Sequence, residues 1–407
     1  MTRASARWAV AVPVAVAAVA AAAVVMVPAS GEVSAAPDTS ASAKAPPASG
    51  PLTVAVEGPM TGAQASTGQD MLRGAQLAAA RLNAHGGVLG RTVRVQPVDD
   101  KADAATGKAA ARKAVSRGIA AVVGPFNSSV GVTALPVYRA AGASILRMTS
   151  ATDTEGFGIT TQPMVTQIAP VEAAALIHTL GAHSVDVIYD PSTYTAGIAT
   201  QLATLLQGQG VTLPVDQTLP ATASTDQITA TAADAAAHPA DVVYLAMYGP
   251  EAGRMAKALY DQHVAGRCFV DLAAQGPSFV QTAGTAAASA CLNSGVPSAT
   301  QLPEGPSYAA AYRAKFHRAP GTWGAFVYDS VDIWAAAAKA SHQAFGSKIR
   351  AAVAKTTGFS GVTGITTAEP STGNRDNPPV VVLDITPAGA YAVDKTWATT
   401  TGYQLAK

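Results

Sequence analysis

Charge is scarce in this chain, and so are aromatic rings and cysteine. Asp, Glu, Lys and Arg make up 13% of the 407 residues and nearly cancel, leaving a formal net charge of +1. A charged share about half the usual one excludes dense surface ion-pair networks. The Lys and Arg residues are scattered, so no basic stripe supplies the counterion release that nucleic-acid binding needs. Nucleic acid is excluded as a partner. Chemical signatures are missing too. His85, His178, His183, His238, His263, His317 and His342 show no metal-ligand spacing. There is no GxSxG elbow, no HExxH pair, no GxxxxGKS/T loop and no GxGxxG after a strand. Asp99-Asp100 is the one paired carboxylate in view, and it reads as a strand-end turn before a helix. The sequence asks for no metal, no cofactor and no catalysis.

The only cysteines are Cys268 and Cys291. Cys268 lies in a strand-like run and Cys291 opens another, with the helical stretch Ser278 to Ala290 between them. A strand–helix–strand unit lays its two strands side by side, so a disulfide is expected; the alternative is two small buried apolar side chains. The compartment permits a bridge. Arg3 and Arg7 precede an uncharged run from Trp8 to Val27, then Pro28 and small residues. That is an export-signal pattern over residues 1–35, with cleavage after Ala35. The run is also long enough to span a bilayer, which leaves an uncleaved anchor as the alternative. No cysteine follows it, so a lipid-modified N-terminus is excluded. Residues 36–51, rich in Ala, Pro, Ser and Gly, read as a disordered tether.

What the chain has in abundance is alternation. Strands are expected at Leu52 to Val56, Thr92 to Val98, Ile119 to Val123 and Ile145 to Met148. A helix from Gln69 to Leu82 and another capped by Asp103 lie among them. A second series restarts at Val185 to Tyr189 and continues at Asp241 to Ala246 and Cys268 to Val270. Strict alternation implies parallel sheets covered by helices, and two series imply two lobes. Near the end, Phe359 to Ile385 reads as two strands around a Gly-, Pro- and Asn-rich connection. Pro378-Pro379 cannot lie in a central strand, so this segment is expected to cross between lobes.

The most informative stretch is Gly118 to Thr152, which reads as strand, sharp turn, helix, strand and second turn. Ser128 and Ser129 end the first turn; Ser150 and Thr152 end the second. An open parallel sheet brings such turns together at the carboxyl ends of its strands, where ligands bind. A helix starting at Ser128 aims unpaired N–H groups and its positive dipole end at that point. This describes an uncharged trap for an anion such as a carboxylate; a plain helix N-cap is the plainer reading of the serines. Tyr194 and Tyr248 each follow a strand within a Gly/Pro-flanked turn, as pocket or half-buried core residues. Phe326 begins a helix, as pocket or core.

In order and spacing, GPMTGAQASTGQDMLRGAQLAAARLNAHGG, VDD, VVGPFNSS, TSAT, YDPSTYTAG, YLAMYGPEAGR, GAFVYDS and FSGVTGITT resemble the periplasmic leucine/isoleucine/valine-binding proteins. The resemblance runs from about Leu52 to Thr396. It implies a type I periplasmic binding protein: α/β, two Rossmann-like lobes with parallel sheets joined by a three-strand hinge. Lobe one would comprise 52–171 and 298–378, lobe two 172–297 and 379–399. It implies a monomeric, secreted or cell-surface solute receptor of an ABC importer, read by a membrane permease. The ligand carboxylate would meet Ser128 and the turn of Ser150, Ala151 and Thr152. Tyr194 and Tyr248 would close from lobe two, with Phe326 in the pocket and Thr67 at a position often aromatic. The acidic residue that pairs with a ligand ammonium is missing. The matching position is Leu272 or Ala273, with Asp271 one or two residues away. Either Asp271 substitutes through a shifted turn, or the ligand is not an α-amino acid. A sensory domain that keeps its anchor, and a hydrolase of a small amide, are the rival readings.

Overall fold

The computed structural model describes residues 44–403. The expected signal or anchor lies outside the described residues, as does the first half of the tether. The second half is tied down: the Pro47 and Gly50 carbonyls each accept a hydrogen bond of 2.8 Å from the Arg91 guanidinium. Among the described residues no helix is long and apolar enough to cross a membrane.

The first sheet is built from β1 (Leu52–Gly58), β2 (Val93–Asp99), β3 (Ala121–Val123), β4 (Ser144–Arg147) and β5 (Ile159–Thr160). Its order is β2-β1-β3-β4-β5 and every pairing is parallel. Strands covered on both faces must be apolar throughout, and every residue of β1, β3 and β4 is buried. The helix Ala65–Ala84 starts four residues before the expected Gln69. Its first turn carries no apolar stripe. A Cβ at Gly68 would meet the Pro59 carbonyl oxygen at 2.4 Å, so close backbone approach holds that turn instead. The next helix, Ala104–Ser116, is capped as expected by Asp103, which accepts from the Thr106 N–H at 2.7 Å.

The second sheet takes β6 (Val185–Tyr189), β7 (Asp216–Thr218), β8 (Val242–Ala246), β9 (Arg267–Val270) and β10 (Cys291–Gly295), all parallel. The polar edge strand β7 has no apolar run to announce it. Where two strands were expected late in the chain there are three. β11 (Phe359–Gly361) and β12 (Gly364–Thr366) form a separate hairpin, and β13 (Val381–Ile385) follows Pro378-Pro379. β13 joins β10 antiparallel and β14 (Tyr391–Val393) joins β13 antiparallel, so the second sheet is mixed rather than purely parallel. Its order is β14-β13-β10-β9-β8-β6-β7.

The chain passes between the sheets three times: from β5 to β6, from β10 to the helices Gly305–Phe316 and Gly324–Ser341, and from the hairpin to β13. Those helices pack with the first sheet's layer, where Arg73 Nε donates to the Tyr312 hydroxyl at 2.6 Å. None of the crossings is itself a strand of either sheet, and the first carries the helix Val165–Ala174. The buried Arg375 guanidinium fastens the last to the first, donating to the Thr161 carbonyl at 2.9 Å.

Cys268 and Cys291 are register partners on β9 and β10 and are joined by a disulfide. The bridge closes a loop of sequence separation 23, for which loss of unfolded-chain entropy stabilises the fold by about 3 kcal/mol. We expect the double substitution Cys268→Ala/Cys291→Ala to lower the melting temperature by several degrees. A reductant should lower that of the wild type equally. A reduced wild type melting like the oxidised protein would contradict this.

Candidate functional site

The carboxyl ends of both sheets face one cleft. Between them lies a small cavity, narrowed to about 20 Å³ by the side chains that line it. From the first sheet come Phe126 and Ser128 after β3, Ser150 after β4 and Gln162 after β5; from the second come Tyr194 after β6, Tyr248 after β8, and Leu272 and Ala273 after β9. Trp323, just before the helix Gly324–Ser341, completes the wall. The walls touch across the cleft, the Phe126 ring lying 6.3 Å from Tyr248, while on its own side it lies 5.5 Å from Trp323. Among the described residues no charged side chain lines this space.

Asn127, not Ser128, takes the cap position of the helix Ser128–Ala140; Ser128 is its first residue. The Ser128 oxygen accepts the N–H groups of Ser150 and Ala151 at 3.3 and 3.2 Å. Those two amides, expected to face a ligand, are therefore spent on Ser128. Two acceptor contacts leave the Ser128 hydroxyl its proton to donate, beside the unpaired first-turn N–H groups of the helix. The Ser150 hydroxyl is committed as well: it donates to the Pro163 carbonyl at 2.6 Å and accepts from Gln162 Nε2 at 2.9 Å.

The remaining expected residues are spread further. Ser129 is half-buried on the same helix. Thr152 is exposed at the start of a short turn and outside the cavity wall. Thr67 lines a separate, wider hollow that shares Trp323 with the cavity. Phe326, one turn into its helix, is fully buried behind Trp323 with ring centroids 5.6 Å apart; Trp323 presents the aromatic face instead. Asp99 and Asp100 do serve a strand-end turn. Asp99 Oδ1 accepts from Met60 and Lys101 N–H groups, and Asp100 Oδ1 from that of Ala102 at 2.8 Å.

Three wall residues escaped the sequence reading. Phe126 and Trp323 sit beside more conspicuous neighbours, Ser128 and Phe326. Gln162 looks like any polar loop residue between Thr161 and Pro163. It is buried, its Nε2 donates to the Met148 carbonyl at 2.6 Å, and its Oε1 has no partner. The wall thus offers an acceptor at Gln162 and a donor at Ser128. Asp271 does not line the cavity. It turns beneath Tyr194, whose hydroxyl donates to its Oδ2 at 2.8 Å. Burial, and then the Asp271 charge, push the Tyr194 phenol well up; burial and Asp190 do the same at Tyr248. Both phenols are neutral donors or acceptors at ordinary pH.

Two sheets whose carboxyl ends converge on one small walled cavity are the architecture of a binding protein. A model of the periplasmic binding protein family matches residues 51–389. The chain belongs to that family. Its members are extracytoplasmic substrate-binding proteins rather than enzymes. A Leu/Ile/Val-binding protein of Rhizobium johnstonii is 31% identical over 222 residues, covering 53% of this chain and 60% of that protein. The chain thus aligns with about 60% of that relative's length. Among solved structures, the branched-chain amino acid transporter substrate-binding protein of Streptococcus pneumoniae in complex with isoleucine superposes with a TM-score of 0.76 at 24% identity. That match covers 84% of this chain and 99% of the other. A solute-binding protein of R. palustris in complex with 4-hydroxybenzoate gives 0.74 at 16% identity, covering 84% and 95%. At these identities the structures establish the type I periplasmic binding protein fold.

Proposed function

We propose that this periplasmic binding protein is the secreted or cell-surface receptor of an ABC importer. It holds a small carboxylate-bearing solute, branched-chain amino acid-like, between its two sheets and hands it to a membrane permease. The observation that carries the reading is the arrangement around Ser128. Its oxygen is held by two backbone N–H groups, so its proton is free for an anion at the positive end of a 13-residue helix. Isoleucine and 4-hydroxybenzoate, the ligands of the two structural neighbours, share a carboxylate and little else. Closure of the lobes follows if the solute favours the closed state. Micromolar affinity corresponds to about −8 kcal/mol, and two or three charge-assisted hydrogen bonds of about 1.5–3 kcal/mol each supply much of that.

Ser128→Ala removes one donor, and binding should weaken roughly 10- to 100-fold. Calorimetry with the solute that most raises the melting temperature checks this; an unaltered affinity would sink the placement. A second reading, an aromatic or aliphatic acid or an amide, is favoured by the walls of Phe126, Tyr194, Tyr248 and Trp323 and the lack of a charged lining residue. A thermal-shift screen of branched-chain amino acids against such acids and amides separates the two.

A further inference from the structure

Behind Tyr194 lies a pair of buried acids that solute binding as described leaves without a task. Glu172 sits on the helix of the first crossing, Val165–Ala174, and Asp271 just past β9; neither is exposed. The two carboxyls lie close enough for each to shift the other's protonation. Asp271 also accepts from the Tyr194 hydroxyl and the Ala273 N–H, both at 2.8 Å. Glu172 accepts from the Tyr244 hydroxyl on β8 at 2.9 Å and from the Ser294 hydroxyl on β10.

Two carboxyls facing each other in a dry interior do not both ionise, so one proton lies between them. The donors around them say where it rests. An amide N–H cannot reverse its polarity, so Ala273 holds Asp271 in the accepting, ionised form. Both outside partners of Glu172 are hydroxyls, which can turn. The proton therefore sits on Glu172 and is donated to Asp271. Tyr194 spends its own proton on Asp271 too, and its oxygen has only lone pairs left to offer.

We propose that the Glu172–Asp271 pair acts through Tyr194 to set ligand specificity: singly ionised, it makes the Tyr194 oxygen an acceptor for a ligand N–H or O–H, and doubly protonated, it withdraws that acceptor. The inference rests on the solute-binding reading of the cavity. Glu172 is then a positioning residue, fixing Asp271 from the crossing helix without touching the ligand. The groups facing the pair are Tyr194, Tyr244 and Ser294, with Tyr248 beyond them. Burial pushes the phenols upward, so they keep their protons. Burial likewise raises Glu172 well above the carboxylate range and Asp271 to about 6. When the pH falls through that value, Asp271 gains a proton and the charge behind Tyr194 disappears.

The test uses the full chain with two probes, L-leucine and 4-methylpentanoate, which is leucine without its amino group. By calorimetry near neutral pH the wild type should prefer leucine by about tenfold or more, and the preference should shrink as the medium is acidified through the Asp271 transition. Asp271→Asn should abolish the preference. Glu172→Gln, which still donates an N–H to Asp271, should keep it, whereas Glu172→Leu should lose it. A preference unchanged in Asp271→Asn, or lost equally in both Glu172 variants, overturns the proposal. A ligand-free arm stands apart from the solute reading. The infrared difference between wild type and Glu172→Gln at neutral pH should contain the C=O stretch of a protonated carboxyl. Absence of that band overturns the shared proton. Failure of both probes to bind the wild type, with the band present, would instead overturn the carboxylate solute while supporting the pair.

Discussion

Asp70→Ala should destabilise the protein by roughly 3–5 kcal/mol, the cost of stripping a buried charged acceptor from its donors. Asp70 lies on the helix Ala65–Ala84 and is 4% exposed. Its carboxylate accepts from the N–H groups of Gly321, Trp323 and Gly324 at 2.9, 3.0 and 2.6 Å, and from the Tyr312 hydroxyl at 2.9 Å. The carboxylate thus occupies the amino-terminal end of the helix Gly324–Ser341, satisfying donors that a helix start leaves open and meeting the positive end of its dipole. The fit depends on bare backbone. A Cβ at Gly324 would lie 2.9 Å from Asp70 Oδ1, and one at Gly74 would lie 2.0 Å from the Gly324 carbonyl oxygen. Trp323 is carried on this joint, so the substitution should also slacken the cavity wall. Thermal unfolding reads the first effect and calorimetry with a bound solute the second. A melting temperature within a degree of wild type would refute the account. Asp70→Asn, which keeps one acceptor oxygen, should cost less.

The alternation of strand and helix was legible because buried parallel strands are continuous apolar runs, as in Leu52–Val56 and Val242–Ala246. The pairing of Cys268 with Cys291 was legible for a topological reason: one helix returns the chain to the neighbouring strand. β7 and the β11–β12 hairpin were not, since polar edge strands and three-residue hairpin arms carry no pattern of their own. At the cleft, turns rich in Gly and Ser could be read as meeting at strand ends. The direction of each donor could not. Whether the Ser150 and Ala151 amides face open space or the Ser128 oxygen depends on backbone angles that residue type does not set. Gln162, Trp323 and Glu172 take their positions from tertiary packing. A glutamate in a helix such as Val165–Ala174 looks like a solvated face, and only the tertiary fold, which sets its carboxyl against Tyr244 of β8 and Ser294 of β10, puts it in the interior.

Asp100→Asn should stabilise the protein at neutral pH, and Glu57→Gln should act in the same direction. Glu57 is the sixth residue of β1 and points with Ala55 into the layer under the helices Ala104–Ser116 and Ser128–Ala140. It is fully buried and both carboxyl oxygens lack a hydrogen bond of good geometry, although the Tyr138 hydroxyl lies close by. Asp100, also fully buried, has one oxygen on the Ala102 N–H and the other unpartnered. Burial raises Glu57 well above the carboxylate range, with the Asp100 charge adding to it, and raises Asp100 to about 7, with the Asp99 and Asp103 charges adding to it. A group whose folded-state pKa is raised binds its proton more tightly in the native protein. Its contribution is therefore intact at low pH, where both states are protonated, and declines as the pH climbs from about 4 to about 7. For Asp100 the decline amounts to about 4 kcal/mol at full ionisation. Asparagine keeps the bond from Ala102 and never ionises, so the gain should be near zero at about pH 4 and on the order of 2–4 kcal/mol at neutral pH. Other buried carboxyls tilt the whole-protein profile, so the decisive quantity is the variant-minus-wild-type difference from denaturant unfolding across that range. A difference that stays flat with pH would mean that Asp100 is not held protonated by the fold. The two substitutions share one site, and their combined effect should fall short of the sum.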